Sequence, residues 1–279
     1  MKNLGYYNGT FDELDRMMIP MNDRVCYFGD GVYDATYSHN YNIFALDEHI
    51  DRFYNSAGLL DINIPMTKAE MKDLLCDMVK KVDTGDLFVY WQATRGTQIR
   101  DHAYDPAIKA NIWIVLKPGK LKDLTQKIDV ITLEDTRFLH CNIKTLNLLP
   151  SVVATQKAKY AKADEAILHR GDRVTECAHS NVHILKDGKL ITAPTDHLIL
   201  PGIARAHLIK MCKNLLIPVD ETPFTVADLF DADEVIVTSS GSLCLRVGHI
   251  DGKPVGGKAT ELITKLQDAL LKEFEEETK

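Results

Sequence analysis

No two cysteines of this 279-residue chain are spaced as C-x-x-C. Cys26, Cys76, Cys141, Cys177, Cys212 and Cys244 are scattered, which excludes a disulfide framework and the ligand spacing of a zinc site. Reduced thiols are expected, and with them a cytoplasmic setting. Also missing are an apolar signal core at the N-terminus and any apolar run near the ~20 residues that span a bilayer. Neither secretion nor a membrane partner is therefore expected. With no basic run and a net charge of −7, the chain lacks the clustered Lys and Arg that a phosphate backbone requires, so nucleic acid is not the principal partner. Internal repeats and low-complexity segments are absent too. What remains is a chain 45% hydrophobic and 26% charged, long enough for two modest domains or one large one.

Asn8-Gly9 between apolar flanks predicts an opening hairpin over Tyr6–Phe11. Strands are expected at Ala35–Tyr37 and Ile43–Ala45 around a His39-Asn40 turn. Asp47 is expected to cap a helix from about Glu48 to Leu60 that buries Ile50, Phe53, Tyr54 and Ala57. Thr67 and Glu70 form a capping box for a helix to about Lys81 with Met71, Leu74, Leu75 and Met78 inward. Leu87–Thr94 and Ile112–Leu116 read as strands. Lys117-Pro118-Gly119-Lys120 combines turn residues with a change of pattern, which predicts an N-terminal domain over 1–117, a linker over 118–123 and a larger domain over 124–279. In the second part, strands are predicted at Ile128–Thr132, Glu165–His169, Asn181–Leu185, Leu190–Thr192 and Val235–Val237. Helices are predicted from Leu148 to Ala161, from Gly202 to Leu216, in a short piece capped by Thr225, and from Gly257 to Glu276. The fold class is α/β of the α+β type, with mixed sheets flanked by helices.

The stretch Asn142–Leu149 sets Lys144 among Ile143, Leu146, Leu148 and Leu149. Apolar surroundings disfavour an ammonium ion and pull its pKa down, and a neutral amine can attack a carbonyl carbon to give a Schiff base. The plainer possibility is a lysine that snorkels to water.

Ile143–Leu149, Val174-Thr175-Glu176 with Ser180-Asn181-Val182, Leu200-Pro201-Gly202-Ile203 and Phe28–Tyr33 together resemble the fold-type IV transaminases that depend on pyridoxal 5'-phosphate (PLP), within them the D-amino-acid type. The matches are in order and extend over nearly the whole chain. The resemblance implies a cofactor between two domains, with Lys144 as its catalytic lysine. Glu176 would pair with the pyridine nitrogen and keep the ring an electron sink. Arg52, the amides of Ile203 and Ala204 at a helix start, and Ser240 would hold the phosphate. Tyr33, Arg100 and His102 would bind the substrate α-carboxylate. Substrates would be an amino acid of the D-alanine or D-glutamate kind and a 2-oxo acid such as 2-oxoglutarate. A homodimer is implied, because in similar enzymes the arginine and histidine come from the neighbouring subunit. Taken singly, these residues also have bland readings: a solvated edge glutamate, an exposed helix arginine paired with Glu48, a solvated serine turn, and a solvated Arg100–His102 loop.

Three positions depart from the family pattern. Asp34 stands where Glu is common, Cys177-Ala178-His179 replaces a small Gly/Ser stretch, and Ala204 replaces a Thr, which removes one hydroxyl. The first two bear on substrate scope more than on reaction class, and the third implies weaker phosphate binding. A branched-chain L-amino-acid aminotransferase, an aminodeoxychorismate lyase, or a non-catalytic relative on the same fold remain as alternatives, since function lives in the site.

Overall fold

The computed structural model describes residues Met1–Lys279. Contacts divide the chain into two compact units, one of Met1–Lys120 with Ile143–Asn147 and Phe274–Lys279, the other of Leu121–Asn142 with Leu148–Glu273. The single change of unit expected over 118–123 is thus joined by three more. The physical reason lies in the backbone of 143–147, which runs along a strand of the first unit: Tyr33 N donates to Lys144 O and Leu146 N to Gly31 O, each at 3.0 Å.

The first unit holds an antiparallel six-stranded sheet. Its strands are β1 (Leu4–Tyr7), β2 (Thr10–Asp12), β3 (Gly31–His39), β4 (Asn42–Ile43), β5 (Leu87–Thr94) and β6 (Asn111–Pro118), in the order β2-β1-β6-β5-β3-β4. Asn8 and Gly9 take the positive φ values, 45° and 95°, that their hairpin needs. Helices α1 (Arg24–Phe28), α2 (Leu46–Leu59) and α3 (Lys68–Val79) belong to this unit. Val32, Leu87, Val89, Trp91, Ile112 and Ile114 form one buried core with Ile50 and Phe53 of α2 and Met71 and Leu75 of α3. Thr67 and Glu70 make the expected capping box. The cap of α2 is not Asp47, however. Ala45, in the left-handed region, occupies that position without a side-chain bond, and Asp47 pairs with Lys72 at the surface.

The second unit is built on a nine-stranded mixed sheet. It comprises β7 (Lys127–Glu134), β8 (Glu165–Arg170), β9 (Arg173–Cys177), β10 (Asn181–Lys186), β11 (Lys189–Thr192), β12 (Val219–Asp220), β13 (Glu234–Thr238), β14 (Leu245–Ile250) and β15 (Lys253–Pro254). The order is β12-β11-β10-β13-β14-β7-β8-β9, with β15 on β14. The parallel pair β7 and β8 needs a crossover, which includes α4 (Leu149–Tyr160); Ala154 and Ala158 of that helix pack with Ala166 and Leu168 of β8. Helices α5 (Ile203–Asn214), α6 (Val226–Asp231) and α7 (Thr260–Glu277) complete the chain's elements. Strands β10 and β13 are buried on both faces, as the apolar run Val235–Val237 of β13 requires; in β10 the buried His183 stands between Val182 and Ile184. No helix is long and apolar enough to cross a membrane.

Candidate active site

In the first unit, β3 alternates between the core and a half-buried face. Asp34 therefore points inward, where no part of it is exposed. Residues His49 and Arg52 stand three apart on α2, hence on one helix face, and both reach that carboxylate. The guanidinium forks onto it through Nε to Oδ2 at 2.9 Å and Nη2 to Oδ1 at 2.7 Å. The His49 Nδ1 contact with Oδ1 is 2.7 Å, which makes Nδ1 the protonated nitrogen. Burial alone would raise the Asp34 pKa, but the charge of Arg52 and the hydrogen bonds from His49 and Arg52 overcome it and hold the carboxyl well below the usual range. Burial, only partly opposed by Asp34, lowers the His49 pKa. Arg52 is thus a buried arginine fixed in plane by Asp34, not an exposed one. Asp34, noted in the sequence only as a departure, is the group that fixes it.

Lys144 is tied at both backbone groups, its C=O accepting from Tyr33 N at 3.0 Å and its N–H donating to Ser56 Oγ at 3.2 Å. A bridge between Val32 and Thr145 continues the pairing. A Cβ on Gly31 would come within 2.6 Å of both Ala93 O and Leu146 Cδ1, so the close approach depends on that glycine. The Lys144 ammonium nitrogen lies 4.3 Å from the Tyr33 ring centre, and Tyr33 stacks on Tyr90 at 5.5 Å. The expected apolar cradle is only half present: Ile143 packs on the core, while Leu148 is 37% and Leu149 73% exposed. Arg100 and His102 are exposed and gather on another ring, that of Phe28, at 5.2 Å each.

The second unit brings other predicted residues together. Glu176, next to last in β9, is only 5% exposed, which overturns its reading as a solvated edge residue. Its Oε2 accepts from Asn181 Nδ2 at 2.9 Å and Leu200 N at 3.1 Å, and Arg137 Nη1 donates to Oε1. Arg137 also bonds Asp135 through Nε to Oδ1 and Nη2 to Oδ2, both at 2.9 Å, and Leu198 O at 3.1 Å. Burial acts to raise the Asp135 pKa, yet Arg137 brings it to about 2. Asp135 and Glu176 in turn raise the Arg137 pKa against the effect of burial. The sequence reading missed Arg137. The available signal was Asp135-Thr136-Arg137 directly after a strand, which is weak.

Asn181 links Glu176 to the start of α5. A Cβ on Gly202 would sit 2.0 Å from Asn181 Oδ1. Gly202 is the N-cap of this helix and offers no side-chain cap, so the first-turn amides at Ile203 and Ala204 include donors without intrahelical partners, a natural site for an anion. Ala204 is buried. Ser240 is half-buried, in a turn closed by Leu243 N to Ser239 O at 2.8 Å.

The amino-transferase class IV family matches over residues 31–250. A D-alanine aminotransferase of Listeria monocytogenes serotype 4b (strain F2365) is 40% identical, over 96% of this chain and 94% of its own. One of Bacillus licheniformis is 37% identical, over 96% and 97%. Among solved structures, a T.th. branched-chain amino acid aminotransferase complexed with N-(5'-phosphopyridoxyl)-L-glutamate has a TM-score of 0.89 and 25% identity, and covers 99% of this chain and 94% of that one.

Proposed function

The chain belongs to the amino-transferase class IV family, and from that premise we propose that it moves the amino group of a D-amino acid, of the D-alanine or D-glutamate kind, to a 2-oxo acid such as 2-oxoglutarate with PLP as cofactor. The observation that carries the reading is the way Glu176 is held: a buried carboxylate with three donors on it stays an acceptor for a protonated ring nitrogen. The donor set around the other candidates fits the cofactor as well. Arg52 offers a guanidinium already fixed in plane, suited to a phosphate dianion. The uncapped start of α5, with Ile203 and Ala204, supplies amides, and Ser240 a hydroxyl.

When bound, PLP supplies an aldehyde that takes up an amine and a ring that accepts electrons from the α-carbon. The chain's residues do the rest. Lys144 Nζ would be the amine nucleophile and would take and return the proton at the substrate Cα. Glu176 keeps the ring nitrogen protonated. Tyr33, Arg100 and His102 bind the α-carboxylate and so decide which face of Cα meets Lys144. Arg100 and His102 would serve a neighbouring subunit in a homodimer. Exposed apolar side chains support that assembly, notably Ile99 at 84% and Met21 at 88%. Six free thiols support a reducing, cytoplasmic setting.

Lys144→Ala should abolish turnover, and borohydride reduction followed by peptide mapping should find the pyridoxyl label on Lys144. A label on another lysine would overturn the assignment. A parent enzyme that prefers L-alanine to D-alanine would overturn the hand of the substrate and favour the branched-chain reading.

A further inference from the structure

Arg100 and His102 lie on a segment, 97–105, that follows β5 and has no regular secondary structure. Its base is held by the backbone and by a buried carboxylate. Arg24 N donates to Gly96 O at 2.9 Å and Gln98 N to Asn22 O at 3.1 Å. Asp23, fully buried, accepts from Thr94 Oγ1 at 3.0 Å and from Asn111 Nδ2 at 2.9 Å, and Asn111 Nδ2 also reaches Thr97 Oγ1 at 2.9 Å.

The far end is held differently, by side chains: Gln98 Oε1 accepts from Asp105 N at 3.1 Å and its Nε2 donates to Ala103 O at 3.5 Å, and Arg24 makes the larger set of bonds. Arg24 is 3% exposed, and its guanidinium donates to three successive backbone carbonyls. Nη1 reaches Asp101 O at 2.6 Å and Ala103 O at 3.4 Å, and Nη2 reaches His102 O at 3.1 Å. The remaining edge, Nε, donates to Asp30 Oδ2 at 2.8 Å, and Arg95 Nε bonds the same carboxylate. The Arg24 guanidinium also lies 5.0 Å from the Phe28 ring centre, the ring that Arg100 and His102 share. The Arg95 guanidinium is 3.8 Å from the Tyr104 ring centre.

We propose that Arg24 is a positioning residue for the substrate carboxylate: it folds the backbone of 101–103 around its guanidinium and thereby sets where Arg100 and His102 are presented. The inference rests on the proposed role of those two residues. It follows from donor geometry, because five N–H groups in a rigid fork can serve three carbonyls and a carboxylate at once, whereas the three donors of a lysine radiate from a single atom. The carbonyls are backbone groups, so what Arg24 fixes is the course of the chain, whatever the side chains of the segment are.

The test compares Arg24→Lys with Arg100→Ala in the cofactor-loaded enzyme. Amide hydrogen exchange over 97–105 is measured beside KM and kcat for D-alanine. Arg24→Lys should speed exchange at 101–104 at least about tenfold. It should also lower kcat/KM by about 10- to 100-fold, mostly through KM, the scale of a small misplacement. Exchange in α2 and α3 should stay unchanged. Arg100→Ala should raise KM without changing exchange at the segment. Should Arg24→Lys not fold, Tyr104→Leu removes only the ring packed on the arginines and should show the same pair of effects, smaller. If Arg100→Ala raises KM while Arg24→Lys (or Tyr104→Leu in its place) leaves exchange and KM at parent values, the positioning role is wrong and the carboxylate reading stands. If Arg100→Ala leaves KM unchanged, the carboxylate reading falls, and the proposal with it.

Discussion

Each unit contains a buried arginine–carboxylate pair, and on the proposed reading the two are used in opposite senses. In the first, Asp34 is the hidden partner and Arg52 the group offered to chemistry. In the second, Arg137 is the hidden partner and Glu176 the group offered. Burying one charge is costly unless a partner accompanies it, and removing that partner is worse than never having had the pair. A guanidinium or carboxylate that is to stay buried and charged therefore has to be accompanied by a second charge, whatever the first one does.

The comparison breaks most easily at Arg137. Arg137→Ala leaves Asp135 and Glu176 buried together without their shared cation, and should cost at least the upper part of roughly 3–5 kcal/mol in denaturant unfolding. Asp34→Asn keeps an oxygen for Arg52 but removes the charge, so about 3 kcal/mol is expected. On the proposed reading it should also weaken cofactor binding more than it changes kcat. If the two losses came out equal and neither separated affinity from turnover, the opposed roles would be wrong.

A second contrast is between two buried histidines. His49 has a carboxylate, whereas His183 has only hydroxyls, Thr192 Oγ1 at 2.7 Å and Thr238 Oγ1 at 2.9 Å. Burial, and after it the charge of Arg205, lowers the His183 pKa to about 3. As pH falls from the ordinary value of about 6.5 towards 3, the unfolded chain takes up a proton that folded His183 refuses. Its contribution is thus complete above that window and declines within it at roughly 1.4 kcal/mol per pH unit. Urea unfolding of the parent and His183→Gln at pH 7 and 4.5 should show a shallower decline in the variant; parallel declines would assign the acid sensitivity elsewhere. The smallest effects serve as controls, one in each unit. Thr67→Ala and Thr225→Ala each remove a capping box and should each cost about 1 kcal/mol, with kcat unaltered.

What the sequence made legible were the local features. Asn8-Gly9 dictates its hairpin, Thr67 and Thr225 announce their helices, and the run from Leu87 to Thr94 has the length and composition of the strand it forms. At α2 the same logic misplaced the cap, because the turn before it ends in Ala45 held left-handed, a conformation that Asp47 two residues on does not reveal. No strand was expected over Leu245–Ile250, where Arg246, Gly248 and His249 interrupt the apolar pattern; pairing with β7 and β13 decides it. Arg52 and Glu176, the groups assigned to the proposed site, were picked out by resemblance. Their holders were not, because Arg137 meets Glu176 across 39 residues and Asp34 meets Arg52 across 18, separations at which no local pattern exists. Lys144 was found among apolar neighbours. The structure shows it fixed instead by backbone pairing with β3, while two of those neighbours face water.

Gly202 has one more consequence. Because the space its side chain would fill already belongs to Asn181 Oδ1, even alanine there would have to displace the amide that holds Glu176 or the start of the helix. A hydrogen atom at position 202 is thus what lets one amide hold Glu176 beside the first turn of α5. A random-substitution library scored for activity should return glycine alone at that position, while the exposed residues of the same helix accept nearly anything.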